Sequence, residues 1–330
     1  MYLGPRRMEI QDLPEPGPAP GEVIVGAHVS AICGSDLHGF REASPRRIPP
    51  LVMGHETVGR VVAVGPGVDA ARIGQRVVLK PILSCGVCDA CRRGAVNHCV
   101  DGRLVGRDLA GGFAERFAVP AAAAVPIQED IDDDLASLTE PLANAVHVTD
   151  RAVTEGDSVF VIGSGPIGAL IVRAALLRGA DRVLSTDPNP ERTAFAAGQG
   201  AEVVDAQDPL TGVLEATQGR GADVVIDAAG FESTWALGLR AVRTAGHLFQ
   251  IGLGAPSGSL DYFAVLGKEV TIAGSYAWGE ADFARALELL ADGVLDPAGW
   301  LTRIPLEDGE HAFEELADRG RPFKVLLEVG

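Results

Sequence analysis

Residues 158–162 read SVFVI, an uninterrupted apolar run, and after a short glycine-rich stretch the chain continues as ALIVRAALLRG, whose apolar positions fit a buried helix. The alternation goes on through DRVLSTD, AEVVDA, a helical pattern over 208–218, ADVVIDAAG, a helical pattern over 232–244, GHLFQIGL and KEVTIAGSY. Short apolar runs bounded by glycine suit parallel strands covered on both faces, so this region predicts a doubly wound α/β sheet. Residues 1 to about 143 carry another rhythm: GEVIVGAHV, GRVVAVG and QRVVL are short β-like segments separated by Pro and Gly, the pattern of a distorted β-barrel. A helical DFARALELLADG and a strand-like FKVLLEVG close the chain.

The stretch between the first strand and its helix is Gly163-Ser164-Gly165-Pro166-Ile167-Gly168. A GxGxxG motif means little alone, but strand, motif and helix in this order are the dinucleotide fingerprint, with glycines for the turn, the pyrophosphate approach and helix packing. The next strand pattern ends at Asp187, nineteen residues past Gly168, where a carboxylate can accept from the adenosine ribose hydroxyls. That carboxylate would repel a 2′-phosphate and so favours NAD over NADP, with Arg192 nearby as the one counter-indication.

Four of the five cysteines fall within residues 84–99, SCGVCDACRRGAVNHC. Cys85, Cys88, Cys91 and Cys99 have a spacing at which one loop can wrap a tetrahedral ion, and the interleaved glycines and charged residues are loop residues, not core. Four thiolates leave no open coordination position, so this zinc is expected to be structural. A four-cysteine lobe also occurs in nucleic-acid and protein-binding modules, but 45 acidic against 28 basic residues give a net charge of −17, which repels polyanions and anionic membranes. The expected partner is a small molecule. The longest apolar run, 158–177, is broken by glycines, Pro166 and Arg173, and the N-terminus has no secretion-type pattern, so a cytoplasmic protein with reduced thiols is expected.

The fifth cysteine, Cys33, lies in AICGSDLHGF, and GHETVG follows with His55 and Glu56. Thiolate, imidazole and carboxylate form a zinc-suited set whose fourth position stays free.

Cys33-Gly34-Ser35-Asp36, Gly54-His55-Glu56, the four-cysteine lobe, Glu140-Pro141-Leu142 and the glycine fingerprint together resemble, in order and over essentially the whole chain, the zinc-dependent medium-chain alcohol dehydrogenases (the MDR superfamily), in particular their polyol (sorbitol) and threonine dehydrogenase branch. The resemblance implies a GroES-like catalytic domain over 1–143 and 277–330, with the structural zinc lobe at 85–99, and an NAD-binding Rossmann domain over 144–276, substrate lying between them. It implies two zinc ions per chain, the catalytic one on Cys33, His55 and the carboxylate of Glu56 or of Glu140. It also implies a proton relay at Ser35 and His38. An ion with an open position acidifies an alcohol and stabilises the alkoxide from which hydride leaves, so the implied reaction is interconversion of a secondary alcohol (polyol, cyclitol or amino alcohol) and its ketone. The alternative within the fold is an NAD(P)-dependent ketone or enone reductase acting on a specialised metabolite. Cleft loops decide substrate, and Asn144, Arg41 and Tyr276 are the polar candidates there, with Phe40 and Phe113 as an apolar wall. KEVTIAGSY would be an exposed sheet edge in a monomer, which predicts a homodimer or homotetramer.

Overall fold

The computed structural model describes residues 1–330 apart from 43, 45, 46, 298, 320–323 and 330 and the side chain of residue 319. The chain divides into two compact units, Met1–Glu140 with Gly279–Gly330, and Pro141–Trp278.

The second unit is built on a six-stranded, wholly parallel sheet in the order Glu202–Val203, Arg182–Thr186, Ser158–Ile162, Ala222–Asp227, Val242–Gln250, Thr271–Gly274. Its centre is apolar because both faces are covered: Val159, Phe160, Val161, Val225 and Leu248 are fully buried. Register aligns the C-terminal ends, with Ile162 opposite Thr186 and Asp227, Asp227 opposite Gln250, and Gln250 opposite Gly274. Ser158–Ile162 lies where the strand order reverses, the position at which open α/β sheets bind ligands.

Some boundaries in this unit differ from the sequence pattern. The helix expected over 232–244 ends at Ala241, because Val242 is extended (φ −71°, ψ 141°) and pairs with Ala222 as the first residue of Val242–Gln250. Sheet pairing of a β-branched residue here overrides the helical periodicity. KEVTIAGSY contributes only the strand Thr271–Gly274, since Lys268 still belongs to the helix Tyr262–Lys268.

The first unit holds a seven-stranded sheet in which Leu301–Pro305, Lys324–Glu328, Glu22–Ala31, Glu56–Val64, Arg76–Leu79 and Ala124–Pro126 follow one another, with Arg116–Pro120 also on Glu22–Ala31. Only the first pair is parallel. Phe323 and Gly330, at the ends of the expected FKVLLEVG strand, lie outside the described residues. The barrel core is Val23, Val25, Val61, Val77, Phe117 and Val119. A second cluster gathers Tyr2, Phe40, Met53, Phe113 and Phe313. Phe40 and Phe113 pack on the Phe313 ring at 5.3 and 5.8 Å between centroids, so they are core residues and not a substrate wall. Arg41 is likewise committed elsewhere: its guanidinium donates to the carbonyls of Leu316 and Ala317 near the end of Gly309–Arg319. Among the described residues no helix is long and apolar enough to cross a membrane.

Candidate active site and metal centres

Strand register assembles the first site. Ala31 is opposite Glu56, and Leu326 is opposite Ala31, so the ends of three strands bring Cys33, His55, Glu56 and Lys324 to one place. Cys33 is the N-cap of the helix Gly34–Arg41, and the Asp36 carboxylate accepts its backbone N–H at 3.1 Å. Gly54, at φ +99°, turns the chain just before His55; a Cβ there would fall 2.6 Å from the Phe113 nitrogen.

One ligand atom each from Cys33, His55 and Glu56 lie within 4.8 Å of one another. His55 and Glu56 are buried, and Glu56 Oε1 has no hydrogen-bond partner among the described residues. Burial would lower the His55 pKa, yet the charges of Asp36 and Cys33 outweigh it and hold the imidazole well above its ordinary value. Burial likewise raises the Glu56 carboxyl, against the opposing charges of Lys324 and His55, and Glu140 pushes it the same way. A half-buried thiol, a buried imidazole and a buried carboxyl with an unpartnered oxygen, all converging, form a donor set that fits zinc. Glu140 is buried at the start of Thr139–Ala152; its charge acts on Glu56 and Lys324, but it is not one of the three converging donors.

Three further residues shape this centre. Asp36 is fully buried, with Oδ1 3.5 Å from His55 Nδ1, the arrangement that orients a ligating imidazole. Burial opposes its ionisation, but His55 and Arg47 hold its pKa below the usual value. Lys324 is buried against the Glu56 carboxylate and donates to the Ile32 carbonyl at 3.2 Å. Arg47 reaches both Asp36 and Ser35. Asp36 alone could have been found, as the third helical residue after a cap; Arg47 and Lys324 arrive through long-range contacts. Ser35 is half-buried, and His38 is exposed three residues on along the same helix.

The four-cysteine loop forms the second centre. The Sγ atoms of Cys85, Cys88, Cys91 and Cys99 lie within 4.8 Å of one another, with Cys88–Cys91 at 3.4 Å and Cys85–Cys91 at 3.9 Å. These separations are far too long for disulfides and near the edge of about 3.8 Å expected for a tetrahedron with zinc–sulfur bonds of about 2.3 Å. Backbone N–H groups point at sulfur: Cys85 N to Cys99 at 3.2 Å, Cys88 N to Cys85 at 3.3 Å and Cys91 N to Cys88 at 3.5 Å. Such donors favour thiolate, and those of Cys91 and Val100 bring the Cys88 thiol down to about 6. The loop fits a closed, four-thiolate zinc.

In the other unit, Gly163–Gly168 joins Ser158–Ile162 to the helix Pro166–Leu177, capped by Gly165 with Pro166 in its first turn. Gly168 is required by close packing, since a Cβ would lie 1.8 Å from the Gly163 carbonyl oxygen. Asp187 follows Arg182–Thr186 and accepts from Ser164 N and Asn189 N, both at 2.9 Å, which ties it to the fingerprint turn. Arg192 Nη1 stands 3.7 Å from Asp187, so the carboxylate and guanidinium offset each other. Asn144 and Tyr276 also belong to this unit.

Two family models match the chain: an alcohol dehydrogenase GroES-like domain over residues 19–129 and a zinc-binding dehydrogenase over residues 166–292. A probable D-xylulose reductase A of Arthroderma otae is 34% identical over 338 residues, covering 98% of this chain and 95% of its own. An L-threonine 3-dehydrogenase of Pyrococcus abyssi is 36% identical over 331 residues, covering 97% and 94%. Among solved structures, an alcohol dehydrogenase of Escherichia coli CFT073 complexed with NADH superposes with a TM-score of 0.91 at 32% identity, covering 99% of this chain and 97% of its own.

Proposed function

Since this chain belongs to the zinc-dependent medium-chain alcohol dehydrogenases, polyol and threonine dehydrogenase-like branch, we propose that it is an NAD-linked dehydrogenase interconverting a small polyol, cyclitol or amino alcohol and its ketone. The observation that carries this is the convergence of the half-buried Cys33 with the buried His55 and Glu56, one ligand atom from each within 4.8 Å of the others. The activities for which the xylulose reductase and threonine dehydrogenase relatives are named support a hydroxyl-rich or amino-bearing substrate. The same donor set counts against a zinc-free enone reductase of this fold, which has no use for it, and leaves reduction of a specialised ketone as the second reading.

Zinc would supply the Lewis acid that acidifies the substrate hydroxyl, and NAD the hydride acceptor. Cys33, His55 and Glu56 would hold the catalytic ion, with Glu140 able to exchange for Glu56, while Cys85, Cys88, Cys91 and Cys99 would hold the structural one. Asp36 orients His55, and Ser35 and His38 carry the proton outward. Gly163, Gly165, Pro166, Ile167 and Gly168 receive the pyrophosphate, and Asp187 the adenosine ribose, which favours NAD over NADP.

The protein acts in the cytoplasm as a homodimer or homotetramer. The edge strand Thr271–Gly274, mostly exposed, supports assembly, as do Tyr262 and Phe263 at 68% and 84% exposure in the same unit. A monomer in sedimentation at micromolar concentration would refute it. The test of function is NADH formation from NAD+ against xylitol, sorbitol, myo-inositol, L-threonine and 2,3-butanediol. Turnover of at least one, abolished by a chelator, is expected; silence across the panel with intact NAD binding would shift the reading to reduction of a specialised ketone.

A further inference from the structure

Arg47 takes no part in that reading, yet its side chain is only 5% exposed and converges on the residues after Cys33. Its Nε donates to the Ser35 carbonyl at 3.1 Å, and its Nη2 donates to Ser35 Oγ at 2.8 Å and lies 2.8 Å from Asp36 Oδ1. Its Nη1 donates to the Gly106 carbonyl at 3.2 Å. Asp36 needs a cation once buried, but neutralising Asp36 does not require a donor on the serine hydroxyl as well.

We propose that Arg47 is a positioning residue for proton transfer: it fixes the Ser35 hydroxyl so that Oγ accepts the substrate's proton while the serine's own hydrogen faces the next carrier. This rests on Ser35 being the relay. A serine hydroxyl has one hydrogen and two lone pairs, whereas arginine has five N–H donors and no acceptor. Towards Arg47, therefore, Ser35 can only accept. One lone pair is used, and the O–H cannot turn to the guanidinium. What is left is one lone pair and one hydrogen, the pair a relay requires. As the substrate's O–H bond breaks, a new O–H bond forms at Oγ and the original serine O–H bond breaks outward. Ser35 is neutral before and after, and Arg47 stays charged throughout. The guanidinium also opposes a doubly protonated Oγ and favours the oxyanion side, which promotes release of the outgoing proton.

The experiment compares the full-length zinc-loaded chain with Ser35→Ala, Arg47→Met, Arg47→Lys and the double variant Ser35→Ala/Arg47→Met. The substrate is the panel alcohol that the unaltered chain oxidises fastest, and zinc content, NAD affinity and thermal midpoint are measured on every protein. Arg47→Met is expected to lower kcat about tenfold and raise the apparent pKa of the kcat profile by about one unit, with KM for NAD unchanged and zinc retained. Arg47→Lys keeps the charge and a donor and should recover most of the rate. In the Ser35→Ala background Arg47→Met should cost nothing further, because the two act through one hydroxyl. Additive losses, an unmoved pH profile in Arg47→Met, or a folded, zinc-loaded Arg47→Lys no better than Arg47→Met would each overturn the inference. Should Arg47→Met lose zinc or fold poorly, the Lys variant decides alone. If Ser35→Ala itself leaves the pH profile unchanged, the relay reading fails and this inference with it; if only the Arg47 variants do, the relay stands without Arg47.

Discussion

Replacing Lys324 by Met tests the charge balance of the catalytic centre most severely. Lys324 and Glu56 form an ion pair whose side chains are 3% and 0% exposed. Removing one member of a buried pair strands the other charge and costs about 3–5 kcal/mol, in line with about 4 kcal/mol for unit charges some 4 Å apart at an effective dielectric of about 20. At roughly 2–4 °C per kcal/mol, the thermal midpoint of the metal-free protein should fall by roughly 6–20 °C. Two conditions should restore it. A zinc ion on Cys33, His55 and Glu56 is a second cation beside the stranded carboxylate, so the deficit should shrink to less than half in the loaded protein. Protonation does the same: burial and then Glu140 already raise the Glu56 pKa above 4.5, and loss of Lys324 raises it further. A folded-state pKa above the unfolded value means stability that is present below 4.5 and lost as pH rises through the folded pKa, so the variant's deficit should be small in acid and full at neutral pH. Urea unfolding of both proteins, with chelator and with zinc, at several pH values, gives the answer. A chelated deficit under about 1 kcal/mol, or one indifferent to zinc, would refute the assignment of Glu56 to a cation-binding centre held by Lys324.

Other outcomes follow from the same geometry. Cys91→Ser should lower the unfolding midpoint and release one zinc, seen by elemental analysis, while the residual folded protein still turns over. Asp187→Ser should weaken NAD and, with Arg192 freed 3.7 Å away, improve NADP, shifting the ratio of their kcat/KM values by about tenfold or more. Burial would raise the Asp133 pKa, but hydrogen bonds from Arg76 and His28 outweigh it and hold it below 3.8. Its stabilisation is therefore present above 3.8 and lost as pH falls through the lower folded value, and Arg76→Met should flatten that acid limb in urea titrations.

Much of this was legible in the sequence because the informative residues are local. The spacing of Cys85, Cys88, Cys91 and Cys99 needs only one loop, and Gly163–Gly168 needs only one strand and one helix. The parallel, doubly wound sheet follows from apolar runs alternating with helical patterns. What escaped depends on distance along the chain. Lys324 reaches Glu56 only because Lys324–Glu328 pairs with Glu22–Ala31, and Arg47 meets Asp36 with no sequence periodicity linking the two. Arg41, Phe40 and Phe113 looked like cleft residues from their neighbours in sequence, but the helix Gly309–Arg319 packs on them and takes them into the core and its cap. The end of the helix at Ala241 was hidden because sheet pairing, not local propensity, fixes Val242.

Metal analysis of Cys33→Ser beside the unaltered chain, with NAD binding measured on both, decides whether two metal centres divide catalysis from structure. Two zinc ions are expected in the unaltered chain and one in the variant, which keeps its fold and its NAD affinity but has no turnover. A variant that keeps both ions and oxidises alcohol, or that unfolds together with the four-cysteine lobe, would contradict it.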